Sequence, residues 1–312
     1  MDDQNEDTLM ANGDVIVRYF DPAGLGYVLN DGVRSVLAPN GLRGLGVVRA
    51  SVPAMQLPYE NGLSVLSDYP YTPAREVQIG IKIAGLGGDT AAQWTAFNRA
   101  MARACSAYKA AGKLGALEIA EEGGVTLRLD CWMVEWPDPE RSGPFYGTVA
   151  PVFWAPSPWL YDPTERIETL AVSGDGGIEF AITFPITFDS TALDAYVYPD
   201  NQGDVPTWPT IRVNGPGSNI KVDNITTGQV FQLTAGGGVT LDAGDYVDID
   251  MENATANWYD LSTTTTTSVL AKMSDASEFW ALARGVNQVR VRVTAATSGS
   301  VRFSYYLRYQ SF

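Results

Sequence analysis

Residues 208–261 read WPTIRVNGPGSNIKVDNITTGQVFQLTAGGGVTLDAGDYVDIDMENATANWYDL. Short runs with an apolar residue at every second position (TIRV, NIKVD, QVFQL, YVDID) are separated by Gly, Asn, Asp and Pro. Period-two alternation marks a strand with one buried face, and short strands at regular spacing between turn residues mark an antiparallel β-sandwich. The texture begins near residue 170 and continues to the last residues, through GIEFAITF, ALDAYVYP, QVRVRV and VRFSYYLRY, with no helical period of useful length. TTTTT at 263–267 reads as an exposed loop tip or an edge strand.

Working back from there, the first half has a different texture. VIVRYF (15–20), LGVVRASV (45–52) and REVQIGIKIAG (75–85) read as strands, and 115–136 as a hairpin and strand around Glu-Glu-Gly-Gly. The turn-rich stretch 53–73 reads as a long loop, a length that in compact domains usually serves a function. Residues 89–111 form the one convincing helix: Asp89 as cap, Gly112 as terminating glycine, and Trp94, Phe97, Met101, Cys105 and Tyr108 as an apolar stripe to dock on the sheet. FYGTVAPVFWA (145–155) is a further strand. The sequence therefore predicts a mainly β chain. Its first domain, 1–163, is a sandwich- or barrel-like β domain with one helix, and its second, 164–312, an antiparallel sandwich.

The junction reads PVFWAPSPWLYDP at 151–163, with four aromatic residues among four prolines. The prolines stiffen a strap, which Phe153, Trp154, Trp159 and Tyr161 anchor either on their own domain or on something else.

Composition removes several functions. The chain has 312 residues and no histidine, so nucleophiles with a His partner and His-ligated zinc sites are absent. Cys105 and Cys131 form neither a disulfide framework nor a CxxC pair. Lys plus Arg is 21 against 36 Asp plus Glu, a net charge of −15 with both halves acidic, which opposes binding to a phosphate backbone. The acidic N-terminal residues do not resemble a secretory leader, and no apolar run reaches membrane-spanning length. These features predict a protein of a cytosol-like compartment, or one that travels outward in a larger particle, with no membrane insertion and no cofactor.

Four local readings as sites stand beside simpler ones. Asp248, Asp250 and Glu252 lie two apart on one strand face, with Asp242 and Asp245 in the turn before, a pattern that suits calcium or, more simply, a charged edge strand. Trp208, Trp258, Trp280 and Tyr259 could stack on a pyranose ring, or be sandwich core. GLGG (85–88) and AGGGV (235–239) lack both phosphate-loop patterns and are turns. A carboxylate-pair glycoside hydrolase finds no convincing pair of acids.

The motifs at 209–213 (PTIRV), 224–228 (NITTG), 241–250 (LDAGDYVDID) and 279–287 (FWALARGVN) together resemble the C-terminal galectin-like half of siphovirus distal tail proteins. TPAREVQIGIKIAG, the helix and the strand into 151–163 are similar to that family's ring-forming N-terminal domain. The resemblance covers most of the chain after about residue 40. It implies a structural, non-catalytic virion protein of a phage tail tip or baseplate: a hexameric ring around a DNA channel, with galectin-like domains radiating outward. The implied partners are other copies of the chain, the tail tube protein, the tail-tip hub protein and laterally carried receptor-binding or fibre proteins. DNA passes without specific binding, and assembly takes place in the host cytoplasm. Galectin sugar sites rely on a histidine, so the resemblance implies no lectin activity of that kind. A carbohydrate-binding surface module built on the second sandwich stands as the alternative function. For a ring subunit, the expected partner contacts are Phe153, Trp154, Trp159 and Tyr161 on the strap and Leu57, Tyr59, Tyr69 and Tyr71 on the long loop.

Overall fold

The computed structural model describes residues 15–32, 35–51, 54–55, 64–65, 71–84, 90–107, 112–121, 123–137, 140–141, 146–171, 192–294 and 299–312. The chain divides into two compact units, Met1–Pro163 with Tyr309–Phe312, and Thr164–Arg308.

The first unit is built from β1 (Val15–Phe20), β2 (Gly26–Val28), β3 (Ser35–Arg43), β4 (Arg75–Ala84), β5 (Gly115–Glu121), β6 (Thr126–Glu135), β7 (Tyr146–Val149) and β8 (Val152–Ala155), with one helix, α1 (Thr90–Ser106). The strands pair antiparallel in the order β2-β1-β5-β6-β8-β4-β7, and β3 lies along the other edge of β4. Alternation decides which face is core. Val77, Ile79, Ile81 and Ile83 of β4 and Leu127, Leu129, Cys131 and Met133 of β6 point inward, where Met101 and Ala104 of α1 meet them. Cys131 is wholly buried in this cluster and Cys105 packs at its margin, both as small apolar side chains.

Two local expectations change. The helix ends at Ser106 rather than near 111. Its last turn tightens through Ala107 N–H to Ala104 C=O (3.2 Å), and the Ser106 hydroxyl donates to Arg103 C=O (3.0 Å), a local bond that competes with helix continuation. Gly112, with φ +58°, leads into β5. Asp89, Tyr108 and the side chain of Trp94 lie outside the described residues. Within 53–73, Ala54–Met55 pairs with Ser64–Val65, and Ser51 and Tyr71 exchange two backbone hydrogen bonds (2.8 and 3.0 Å). Among the described residues of the expected long loop there is thus one short strand pair, and its base is paired at Ser51 and Tyr71.

The last four residues, expected with the second domain, group with the first. Arg75 sits at an inward position of β4 and is only 1% exposed. Its Nη1 donates to Gly44 C=O (3.1 Å) and its Nη2 to Gln310 C=O (2.5 Å). Phe312 N–H donates to Leu45 C=O (3.1 Å), and Tyr309 and Phe312 pack on the first core.

The second unit is a two-sheet sandwich. Its strands are β9 (Arg166–Ala171), β10 (Ala192–Val197), β11 (Thr210–Asn214), β12 (Gly217–Asn224), β13 (Gln229–Gln232), β14 (Tyr246–Asp250), β15 (Thr255–Asp260), β16 (Thr265–Ser268), β17 (Val289–Thr294) and β18 (Ser300–Tyr305). One sheet runs β9-β18-β11-β14-β15-β16. The other runs β10-β17-β12-β13, with Thr240–Leu241 paired to β12. Ile211, Val213, Val247, Ile249, Val301 and Phe303 face the core from the first sheet; Ile220, Val222, Phe231 and Val289 do so from the second. The expected strand GIEFAITF lies outside the described residues, and TTTTT forms part of the edge strand β16 and its turn.

Two of the quoted motifs turn out to be corners of this sandwich, while PTIRV is strand β11 and LDAGDYVDID runs from a turn into β14. NITTG closes β12 onto β13: Gly228 adopts φ +76° and donates to Asn224 C=O (2.8 Å). In FWALARGVN, Leu282 is core, Gly285 takes φ +87°, and buried Asn287 holds the corner. Asn287 Nδ2 donates to the carbonyls of Ala283 (2.8 Å) and Gly285 (2.9 Å), while its Oδ1 accepts from Ala283 N–H (2.9 Å). Only an amide side chain can donate twice and accept once in this way.

Candidate interaction surfaces

The strap 151–163 is shared between core and surface. Phe153 has no exposure and packs on Tyr19 with ring centroids 5.2 Å apart, and Pro151, Ala155, Pro158 and Leu160 are buried with it. Phe153 is therefore spent on its own domain and has no surface for a partner, a correction to its expected role. Trp154, 37% exposed, points to the opposite face and stacks on Trp132 (5.9 Å, interplanar angle 5°), whose Nε1 donates to Lys113 C=O (2.6 Å). Trp159 and Tyr161 are half-buried, and Tyr161 OH donates to Asp130 Oδ1 (2.8 Å). Of the loop residues, Tyr71 is 55% exposed, while Leu57, Tyr59 and Tyr69 lie outside the described residues.

The structure adds neighbours to Trp154 and Tyr161 that sequence reasoning missed. On the outward face of β1, β5 and β6, the carboxylate of Glu118 lies between Arg18 (3.0 Å) and Arg128 (2.7 Å), and Arg128 also sits over the Phe20 ring (5.3 Å). Val134 and Leu114 are exposed near the Trp pair's strands. The signal was present in TLRLDCWMVE: with Leu127, Leu129, Cys131 and Met133 inward, Arg128, Asp130, Trp132 and Val134 must face out. Trp, Tyr and Arg are the side chains that dominate the energetics of protein interfaces.

The second unit carries a groove of about 510 Å³ on the outer face of its six-stranded sheet. Its floor is two polar rows: Arg302, Arg212, Asp248 and Asn257 lie side by side across β18, β11, β14 and β15, with Ser304, Thr210, Asp250 and Thr255 beside them. Arg212 meets Asp248 through two hydrogen bonds of 2.6 Å each and lies 4.2 Å above the Tyr246 ring, which stacks on Tyr259. The Asp248 contact holds the Arg212 guanidinium more firmly protonated than usual. Arg302 pairs with Glu165 (2.9 Å), and Arg308 pairs with Glu252 and covers Trp208 at 5.1 Å.

These contacts account for the carboxylate strand. Asp248 and Glu252 are held by separate arginines, and Asp250 accepts the backbone N–H groups of Glu252 and Asn253 (3.0 Å each). Asp245 is buried and accepts from Trp258 Nε1 (3.2 Å) and Leu261 N–H (3.0 Å). The strand spreads its carboxylates over separate duties rather than converging them on one point. The proposed sugar platform is likewise dispersed: Trp280 is core, Trp258 is tied to Asp245, Tyr259 belongs to the tyrosine stack, and only Trp208 borders the groove.

Residues 202–309 match the family model described as siphovirus-type tail component, C-terminal domain. In fold, the chain is similar to the Dit (gp 19.1) protein of phage SPP1, with a TM-score of 0.57 and 14% identity over 94% of this chain and 98% of that one. A chain of the phage p2 baseplate in its activated conformation gives a TM-score of 0.43 and 11% identity, over 93% and 97% of the two chains. No curated protein matches in sequence.

Proposed function

We propose that the chain is a siphovirus distal tail protein, and that it forms a ring, hexameric as the resemblance implies, around the DNA channel of a phage tail tip. Its family and fold are those of a structural tail protein. The observation that carries the reading is the family match over residues 202–309, which includes all four quoted motifs. The SPP1 protein is described as a paradigm of the hub adsorption apparatus of phages infecting Gram-positive bacteria. By extension, this chain joins the tail tube protein on one side to the tail-tip hub protein on the other, and carries receptor-binding or fibre proteins laterally. It does so in the virion, after assembly in the host cytoplasm.

Two physical features support this role. An excess of 15 negative charges keeps a passing polyanion from adhering to the wall. The outward face of the first unit offers Trp154, Trp159 and Tyr161, with Trp132 and the Arg18–Glu118–Arg128 group beside them, as a contact surface for the next subunit; Tyr71, Leu57, Tyr59 and Tyr69 are assigned to the same role. Interfaces of permanent assemblies are rich in such side chains.

Light scattering on the size-fractionated full-length protein tests the ring. Six chains of 33.7 kDa give 6 × 33.7 = 202 kDa. A species near that mass, reduced by Trp154→Ala, is the expected result; a chain that stays monomeric at all accessible concentrations refutes the ring.

A further inference from the structure

We propose that the outward sheet face of the first unit receives helix α1 of the next copy of the chain. The contact rests on the ring reading and names the occupant of the tryptophan surface. The first argument is placement. Met101 and Ala104 of α1 pack on the inward faces of β4 and β6, so the solvent side of the helix and the outward face of those strands lie on opposite sides of the unit. A surface on one side that fits a surface on the other joins copies head to tail, and a head-to-tail contact that closes on itself makes a ring.

The second argument is charge. α1 carries two arginines and no acidic residue, a local inversion of sign in a chain of net charge −15. Arg99 and Arg103 stand about one turn apart on its exposed side, and neither has a carboxylate at ion-pair distance among the described residues. The outward sheet face offers the complement. Glu76 of β4 and Glu135 at the end of β6 are exposed and have no ion-pair partner among the described residues, whereas Arg18 and Arg128 on that face are held by Glu118. The two glutamates flank the apolar patch: Glu76 is the cross-strand neighbour of Trp154, which lies beside Trp132, and Glu135 is the neighbour of Val152. They are two strands and two residues apart, about 12 Å by the spacing of a sheet, a span that two arginine side chains one turn apart can cover. Between the arginines the helix exposes Thr95, Ala96 and Ala102, whose short side chains let the indole rings come close, and a guanidinium can then lie over an indole face.

The test is a charge exchange read by light scattering on the full-length protein. One variant carries Arg99→Glu with Arg103→Glu, the other Glu76→Arg with Glu135→Arg. All four side chains are exposed, and circular dichroism checks that both variants fold. Each variant alone sets like charges against each other, so its apparent dissociation constant should rise tenfold or more over the parent's. Mixed in equal amounts the two should assemble again, because every contact then joins opposite charges and the variants alternate around the ring. A parent chain that stays monomeric overturns the ring reading and the contact with it. With the parent assembled, the contact alone is overturned if either variant assembles as well as the parent, or if the mixture stays dissociated. The milder pair Arg99→Gln with Arg103→Gln keeps the test open should a reversed variant not fold. It should weaken assembly and reduce its dependence on salt, and an unchanged salt dependence overturns the contact.

Discussion

Replacing Asn287 by alanine should cost the sandwich about 3 kcal/mol. The side chain is fully buried and makes three hydrogen bonds, to Ala283 N–H, Ala283 C=O and Gly285 C=O. Each buried bond contributes ~1 kcal/mol net, and a buried group left without a partner costs ~1–3 kcal/mol, partly recovered where water can enter the corner. Scanning calorimetry reads the effect: in a unit of this size ~1 kcal/mol lowers the midpoint by ~2–4 °C, so a drop of about 6–12 °C is expected. Asn287→Asp separates hydrogen bonding from volume. Its ionised carboxylate can still accept from Ala283 N–H but faces two carbonyl oxygens, so it should be at least as damaging near neutral pH and partly recover when protonated in acid. A fall below about 2 °C for the alanine variant, or no acid recovery for the aspartate variant, would refute the assignment of the corner to this amide.

Three further outcomes follow from the first unit. Phe153→Ala should destabilise it by ~3–5 kcal/mol through the cavity left beside Tyr19. Trp154→Ala, one residue away on the outward face, should cost only ~1 kcal/mol while weakening assembly, and chemical denaturation with light scattering reads both. Burial pushes the Tyr19 hydroxyl up to about 12 from 10.0, although its bond from Met133 N–H works in the other direction. The folded state therefore holds this proton more tightly than the unfolded chain. Its contribution is complete below about pH 10 and is lost as pH rises towards 12, a span worth ~2.7 kcal/mol. A Tyr19→Phe variant whose stability declines as steeply as the parent's across that range would disprove it.

How much of this was legible beforehand depends on whether a residue's duty is local. The strands β4, β6, β11 and β14 follow from alternation alone, because one buried face is all that a period of two needs. The end of α1 did not, since an alanine-rich run continues past Ser106 and the bond that stops it is a side-chain choice. Arg75 was legible as an inward position of β4 but not as a latch, because its partners Gly44 and Gln310 are remote in the chain. The same holds for the groove. Asp248 and Asp250 drew notice as carboxylates, yet their partners Arg212 and Arg302 come from strands that only the sheet order brings alongside. The outward pair Trp132 and Trp154 was half seen, since the strap's aromatics were conspicuous and their stacking partner lay in an ordinary-looking strand.

The return of Tyr309–Phe312 to the first unit makes the sandwich an insertion within its host, entered after Pro163 and left before Tyr309. Domains tolerate such grafts where the two breakpoints lie in compatible surface chain. A chain built this way can exchange its entire second unit as a cassette while the host core is re-closed by the same four residues. Arg75, buried and bonded to Gln310, checks that re-closure: a cassette of the wrong span would leave its charge without one of its two carbonyl partners.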